Sequence, residues 1–258
     1  MQIEYENQYH RDLYTKTSKN LKKNELIYRE FLKKYPEYQE YKLEWLRSRD
    51  AKVGPISLGT PWINFASLKW LASNVKRNSR VFEFGAGGST LFFANKCGEL
   101  VSVEHDSNWF AEVQKNLLMD SKKNLTLRFR KFFQRNKAPH LILIEPEECA
   151  SKNPILSGVA SLKHLDFSQY VNSITDYPKN YFDFILVDGR ARVNCFERAW
   201  PHLRKGGHLI LDNSDYLRYQ GPLDCLEKKL QSYEKLAFLS PGPCSGVIGW
   251  KTSVYTKR

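Results

Sequence analysis

Two acids and one glycine turn in the first half of this chain have types and spacing that suit a nucleotide-like ligand. Val81-Phe82-Glu83-Phe84 is a short apolar run with an acid inside it. Gly85-Ala86-Gly87-Gly88-Ser89-Thr90 follows at once and closes on small hydroxyl residues. Glycines let the backbone bend sharply and let a ligand approach it closely. Twenty-one residues after Glu83 stands Glu104, at the end of a second apolar run, Leu100-Val101-Ser102-Val103. Its carboxylate can accept hydrogen bonds from ribose hydroxyls. A buried strand, a glycine turn, a helix start and a later acidic strand end together describe a nucleotide-type pocket. The turn lacks the third glycine of a dinucleotide fingerprint, and no lysine follows Gly88 as a phosphate-cradling loop would require. Glu83, two residues before the first glycine, would repel a pyrophosphate. It suits a ligand that carries an ammonium and a sulfonium.

A second set lies further on. Phe182 to Val187 reads as a buried strand ending in Asp188-Gly189-Arg190-Ala191-Arg192, and His208 to Leu211 reads as another ending in Asp212-Asn213. Ligands of open α/β sheets sit outside the carboxyl ends of the strands. An arginine there stays protonated, so it is a poor base. It is a good clamp for a carboxylate, phosphate or sulfate. His105, His164, His202 and His208 are further candidate bases, because imidazole titrates near neutrality. None has a spacing that singles it out, and His208 falls within a strand, where a structural role is expected.

These residues need a scaffold, and the pattern around them supplies one. Strands are expected at 80–84, 100–104, 125–129, 140–144, 182–187 and 208–211. Helices are expected over 62–75, 90–96, 107–119 and 195–203, with Gly206-Gly207 ending the last, and the 158–177 stretch includes one more. Strands that alternate with helices imply a doubly wound, mostly parallel α/β sheet. Leu236 to Leu239 and Val247 to Thr256 are expected to pair as a C-terminal antiparallel hairpin through Pro241-Gly242-Pro243. Gly54-Pro55 and Gly59-Thr60-Pro61 are breakers. They divide a helical N-terminal extension, residues 1–55, from a main domain, residues 56–258. The extension is rich in tyrosine, breaks at Tyr35-Pro36, and offers a cover for an acceptor site or a contact for a homodimer.

The chain has 258 residues, 40 Lys and Arg against 28 Asp and Glu, and a net charge of +12. No run approaches the ~20 apolar residues that span a bilayer. The polar N-terminus has no apolar signal core, so a cytoplasmic location is expected. Five cysteines, Cys97, Cys149, Cys195, Cys225 and Cys244, form no CxxC pair. A zinc cluster or disulfide framework is therefore not expected, and each reads as a small buried hydrophobe. Lys115 to Lys137 holds eight basic residues and one acid, Asp120. That patch is either a solvated face or a surface for an anionic partner such as RNA.

Glu83-Phe-Gly-Ala-Gly-Gly-Ser-Thr followed by Ser102-Val-Glu104-His resembles the cofactor site of class I S-adenosylmethionine-dependent methyltransferases. The similarity extends through Phe182-Asp-Phe-Ile-Leu-Val-Asp188-Gly-Arg190-Ala-Arg192 and Leu203-Arg-Lys-Gly-Gly-His-Leu-Ile-Leu-Asp212-Asn213, and reaches the Thr60-Pro61-Trp62 and Trp250-to-Tyr255 segments. It implies a Rossmann-like methyltransferase fold with a seven-stranded sheet. It also implies roles. Gly85, Ala86 and Gly87 would pass under the methionine part of S-adenosylmethionine, and Glu83 would hold its ammonium, directly or through water. Ser89 and Thr90 would lie at the following helix N-terminus. Glu104 would grip the ribose, with His105 beside the adenine and Asp188 next to the reacting centre. Asp188, Asp212 and Asn213 resemble the metal set of catechol-type O-methyltransferases, and such oxygens suit Mg²⁺. Those enzymes place a lysine three residues after the first acid, where Ala191 stands here.

The expectation is an O-methyltransferase acting on a polar small molecule or a glycan. Asp188 is the candidate catalytic group, and Arg190 and Arg192 orient an anionic acceptor. Nucleic-acid amino-methyltransferases carry an Asn/Asp-Pro-Pro-aromatic element, and Asp188-Gly-Arg-Ala departs from it. The rivals are an RNA or protein methyltransferase that uses the 115–137 patch, through Arg128, Arg130 and Lys131, and a non-catalytic cofactor-binding interaction module.

Overall fold

The computed structural model describes residues 7–18, 20–50, 52–123, 139–149, 152–230, 232–243 and 246–258. In chain order the helices are α1 (Gln8–Leu13), α2 (Leu21–Lys34), α3 (Lys42–Arg47), α4 (Pro55–Leu58), α5 (Phe65–Asn74), α6 (Gly88–Lys96), α7 (Ser107–Lys123), α8 (Ser168–Asn172), α9 (Arg192–Ala199) and α10 (Leu217–Lys229). The strands are β1 (Arg80–Phe84), β2 (Glu99–Glu104), β3 (His140–Leu143), β4 (Glu147–Glu148), β5 (Leu165–Asp166), β6 (Phe182–Val187), β7 (Leu203–Asp212), β8 (Tyr233–Pro241) and β9 (Gly249–Lys257).

Seven strands form one sheet in the order β3-β2-β1-β6-β7-β9-β8, and β4 pairs with β5 as a small separate ribbon. The first five strands of that order run parallel, and β9 joins β7 antiparallel, as does β8 to β9. The chain order reverses between β1 and β6, so their carboxyl ends frame a switch-point crevice.

Alternation along each strand explains why both faces are covered. On β1, Phe82 and Phe84 point into a core that Phe167, Tyr170, Phe196 and Leu223 complete from α8, α9, α10 and their flanks. Val81 points the other way, into a core completed by Leu71, Val75 and Phe93 from α5, α6 and their flanks. A doubly buried strand must be apolar at nearly every position, which isolates Glu83 as the exception on β1. The Asn64 side chain caps α5 by accepting from the Ser67 N–H at 3.0 Å, and its amide donates to Phe238 O at 2.6 Å and Trp250 O at 2.9 Å. One residue thus starts the helix and ties it to the terminal hairpin.

The N-terminal segment makes a third apolar cluster, with Leu13, Tyr28, Phe31 and Trp45 packed against Phe65 and Ile248. Trp45 Nε1 donates to Ile248 O at 2.9 Å, and Tyr9 donates to Leu239 O at 2.8 Å. Its His10 is buried 3.0 Å from Asp215, a residue just beyond β7.

Three expectations need correction. Gly206 and Gly207 do not end a helix. They lie inside β7, where Phe182 pairs with Leu203 but Phe184 with His208. The extra residues bulge, and Gly206 supplies the φ of +70° that the bulge uses. The helix expected over 195–203 begins at Arg192 instead. Cys149 and Cys225 are exposed, whereas Cys97 and Cys195 are buried as expected. The strand expected at 125–129 and Cys244 lie outside the described residues.

Candidate active site

A cavity of about 410 Å³ opens over the carboxyl ends of β1, β2 and β6. That volume falls within the roughly 300–1,000 Å³ of small-molecule sites. Gly85 to Ser89 form one wall. Glu104, His105, Asp106 and Trp109 form the second, and Asp188, Gly189 and Arg190 the third. Pro55 and Trp62 close it from the side of α4.

The glycines are there because two turns nearly touch. Gly85 has φ of +95°, and a Cβ on it would stand 2.7 Å from the Gly189 backbone. A Cβ on Gly189 would stand 2.1 Å from the Tyr170 hydroxyl. Gly88 faces the backbone oxygens of Pro55 and Thr60, which a Cβ would meet at 2.1 and 2.3 Å. At Gly85, Gly88 and Gly189 bare backbone is therefore a steric necessity. Gly87 is followed by the first turn of α6, where the Thr90 hydroxyl accepts from the Gly87 N–H at 2.9 Å and donates to Glu83 at 3.0 Å.

Glu83 is fully buried beneath this turn. Ser89, Thr90 and Ser102 all donate to its carboxylate, Ser102 at 2.5 Å. Burial pushes its pKa up to about 7, against the pull of the three hydroxyls. It does not line the cavity. The direct ammonium contact expected of it is not what the geometry offers: Ser89, which lines the cavity and donates to Glu83, stands between. Glu83 braces the turn and places negative charge behind it.

Glu104 is also buried, but it faces the cavity. Its Oε1 accepts from the His105 N–H at 2.8 Å and the Asp106 N–H at 2.9 Å. Its Oε2 has no partner among the described residues, which leaves one oxygen for ligand hydroxyls. The His105 ring nitrogen Nδ1 stands 2.7 Å from Oε1 but off the hydrogen-bond direction, and the ring packs near Phe167 and Tyr170. Asp106 accepts from the Trp109 N–H at 2.9 Å and so starts α7. The Trp109 indole donates to Ala86 O at 2.7 Å, locking the aromatic wall to the glycine wall.

At the third wall the two arginines divide. Arg190 lines the cavity, and its Nε is buried without a hydrogen-bond partner among the described residues. Arg192 turns inward, and its side chain is only 10% exposed. Its Nε donates to Gly189 O, one terminal nitrogen to Asp212 O and Asn213 Oδ1, and the other to Asp188 O. It also pairs with Asp188 Oδ1 at 2.9 Å and Asp212 Oδ2 at 3.5 Å. All its donors are spent inside the protein, so it is not the acceptor clamp expected from sequence. Asp188 stays in the cavity with its side chain 22% exposed. Desolvation pushes its pKa up to about 8, helped by Asp212 and Glu83 and opposed by Arg192.

The metal expectation fails on the same geometry. Asp212 is spent on the protein: its Oδ1 accepts from Trp250 Nε1 at 2.7 Å and from the Thr252 hydroxyl at 2.6 Å, and its Oδ2 faces Arg192. Asn213 Oδ1 likewise accepts from Arg192. Among the described residues no group of three or more His, Cys, Asp or Glu is placed to hold a metal ion. The oxygens expected to bind Mg²⁺ surround a guanidinium instead.

A family model described as a methyltransferase domain matches residues 66–214, from α5 to just past β7. The chain belongs to the methyltransferase domain family. Its fold is shared with solved structures of low sequence identity. The O-methyltransferase TomG of Streptomyces achromogenes, involved in tomaymycin synthesis and solved in complex with SAM, is 13% identical over 85% of this chain and 98% of that one, with a TM-score of 0.52. A candidate O-methyltransferase from Klebsiella pneumoniae is 18% identical over 86% and 98%, with a TM-score of 0.51. No curated protein matches the chain in sequence.

In this methyltransferase domain, Gly85, Ala86, Gly87, Ser89, Glu104, His105, Asp188 and Arg190 converge on one cavity. Glu83 and Thr90 support it from beneath, and Arg192, Asp212 and Asn213 brace it from behind. Of the four histidines considered as bases, only His105 lines the cavity. His208 bonds Thr256 within the sheet, and His202 lies 3.2 Å from Pro178 O. Sequence reasoning missed Trp109, Asp106, Trp62 and Gly189. An aromatic on the first turn after an acidic strand end was the available sign of Trp109. Arg128, Arg130 and Lys131 lie outside the described residues.

Proposed function

We propose that this protein transfers the methyl group of S-adenosylmethionine to a hydroxyl oxygen of a polar small molecule or glycan that carries an anionic group. The observation that carries the reading is the cavity itself. A bare-backbone wall, a carboxylate with one oxygen open, and an Asp-Arg pair at the next strand end meet at the switch point. The charge fits such a donor. Three lining acids, Glu104, Asp106 and Asp188, stand against one lining arginine, with Glu83 buried behind. A ligand bearing a sulfonium and an ammonium is favoured there.

The donor supplies a methyl group already activated by its sulfonium. The chain's own residues bind, orient and move a proton. Glu104 Oε2 accepts from the ribose hydroxyls, while His105 and Trp109 wall the base. Positioning in this way can supply much of the roughly 7–11 kcal/mol that proximity offers. Asp188, the carboxylate at the cavity mouth, takes the acceptor hydroxyl's proton. With its pKa pushed up to about 8 it is a stronger base than an ordinary aspartate. Arg190 presents an unspent guanidinium to the acceptor's anionic group.

Calorimetry with S-adenosylmethionine and S-adenosylhomocysteine tests the donor, and transfer of labelled methyl to a panel of hydroxylated acids and acidic glycans tests the acceptor. Absence of binding to both donor forms overturns the reading. Binding with transfer only to nitrogen acceptors overturns the oxygen assignment.

A further inference from the structure

The oxygen cluster behind Asp188 is a complete coordination shell around the wrong ion. Asp188 Oδ1, Asn213 Oδ1 and Asp212 Oδ2 lie 2.9, 3.1 and 3.5 Å from terminal nitrogens of Arg192. The carbonyl oxygens of Asp212, Asp188 and Gly189 add contacts at 2.7, 2.8 and 3.1 Å. Six oxygens, two of them from carboxylates, thus enclose one planar cation. Mg²⁺ needs ligands at about 2.0–2.1 Å and Ca²⁺ at about 2.3–2.6 Å. A divalent ion bound by the three side-chain oxygens would have to take them from the guanidinium, whose charge would repel it. Arg192 cannot vacate its charge by losing a proton. Swinging it out would strand three buried carbonyls and two carboxylates together.

We infer that Arg192 is a built-in replacement for a divalent cation, pairing with both carboxylates of this cluster and holding Asp188 in place, so that the chain works without a metal. Arg192 is a positioning residue that acts through Asp188. Local geometry supports the arrangement. Ala191, the residue before α9, adopts φ of +48°, and Arg192 is the first residue of the helix, its side chain directed at the ends of β6 and β7. The cation-nest claim stands apart from the donor reading, whereas metal-free methyl transfer rests on it.

Mn²⁺ is the probe, titrated against the native chain and against Arg192→Ala with bound ion read by electron paramagnetic resonance. The native chain is expected to hold no stoichiometric Mn²⁺ and to melt at the same temperature in EDTA and in millimolar Mn²⁺. Arg192→Ala opens the nest, so it is expected to bind one Mn²⁺ roughly tenfold or more tightly than the native chain does, and to melt higher when the ion is present. Arg192→Lys keeps a charge in the nest and is expected to exclude Mn²⁺ as the native chain does. One equivalent of Mn²⁺ on the native chain, with a lower melting point in EDTA, overturns the inference. A folded Arg192→Ala that binds none overturns it too. Should that variant not fold, the native titration decides alone. No readout uses donor or acceptor, so failure of the methyl-donor reading leaves this result interpretable.

Discussion

Glu104→Gln separates the two tasks of one carboxylate. Oε1 accepts from the His105 and Asp106 amides at 2.8 and 2.9 Å, which shapes the turn before α7. Oε2 is the oxygen left for a ligand in the cavity, and on the proposed function it accepts from the ribose hydroxyls. Glutamine keeps a carbonyl oxygen for the two amides and puts an NH₂ where Oε2 stood, so the turn survives while the anionic acceptor is gone. A hydrogen bond to a charged group contributes about 1.5–3 kcal/mol. At about 1.4 kcal/mol per tenfold, the dissociation constant for S-adenosylhomocysteine is expected to rise by roughly 10- to 150-fold. Isothermal calorimetry reads that change, and thermal melting without ligand is expected to be nearly unchanged. Glu104→Ala removes both tasks and should lower the melting point as well. Glutamine binding with native affinity in a protein of native stability would refute the ribose assignment.

Asp188→Asn is expected to cut turnover by roughly 10²–10⁴-fold, the usual worth of a general base, with donor affinity little altered. The native kcat/KM for the donor should rise with pH through about 8, since the free enzyme's base must be ionised, and a flat profile over that range argues against it. Glu83, with its pKa raised to about 7 in the fold, contributes stability that is full below its ordinary value. That contribution is lost as pH climbs through 7. Glu83→Gln should remove that slope from the melting temperature, and an unchanged slope would assign it elsewhere. Gly88→Ala drives a Cβ against the oxygens of Pro55 and Thr60 at 2.1 and 2.3 Å. It is expected to cost about 1–3 kcal/mol in chemical denaturation, and no loss would mean that the α4 segment moves freely.

Much of this architecture could be read from the chain because strand ends are local facts. The apolar run that ends in Glu83-Phe84-Gly85 must stop where the glycines turn, and Val103-Glu104 and Val187-Asp188 each end an apolar run on a charge. Those three ends define the crevice, so the residues at them were legible, whereas Trp62, Asp106 and Trp109 were not. The third apolar cluster was less legible. Tyr28, Phe31 and Trp45 lie in the N-terminal segment, but their partners Phe65 and Ile248 are tens to hundreds of residues away. Gly206-Gly207 read as a helix stop because two glycines usually break an element, whereas here the β7 bulge uses them. Arg192 failed for a related reason. A side chain's direction depends on where its helix begins, and α9 starts at this residue after a left-handed Ala191.

The same charges that shape the site tie donor binding to readiness for chemistry. Glu83, Asp188 and Asp212 are all pushed upward by burial, and Arg192 is the cation that pairs with the latter two. One guanidinium cannot offset three carboxylates, so burial favours the protonated forms of Glu83 and Asp188. Asp212 is the least available to shed or take one at the cavity, because Trp250, Thr252 and Arg192 fix it. Asp188 and Glu83 are the groups free to respond. On the proposed function, a cationic donor over the glycine turn would supply positive charge and lower both values, leaving Asp188 ionised when the acceptor arrives. Base activation is then a consequence of donor binding rather than a separate event, and the donor should bind with proton release.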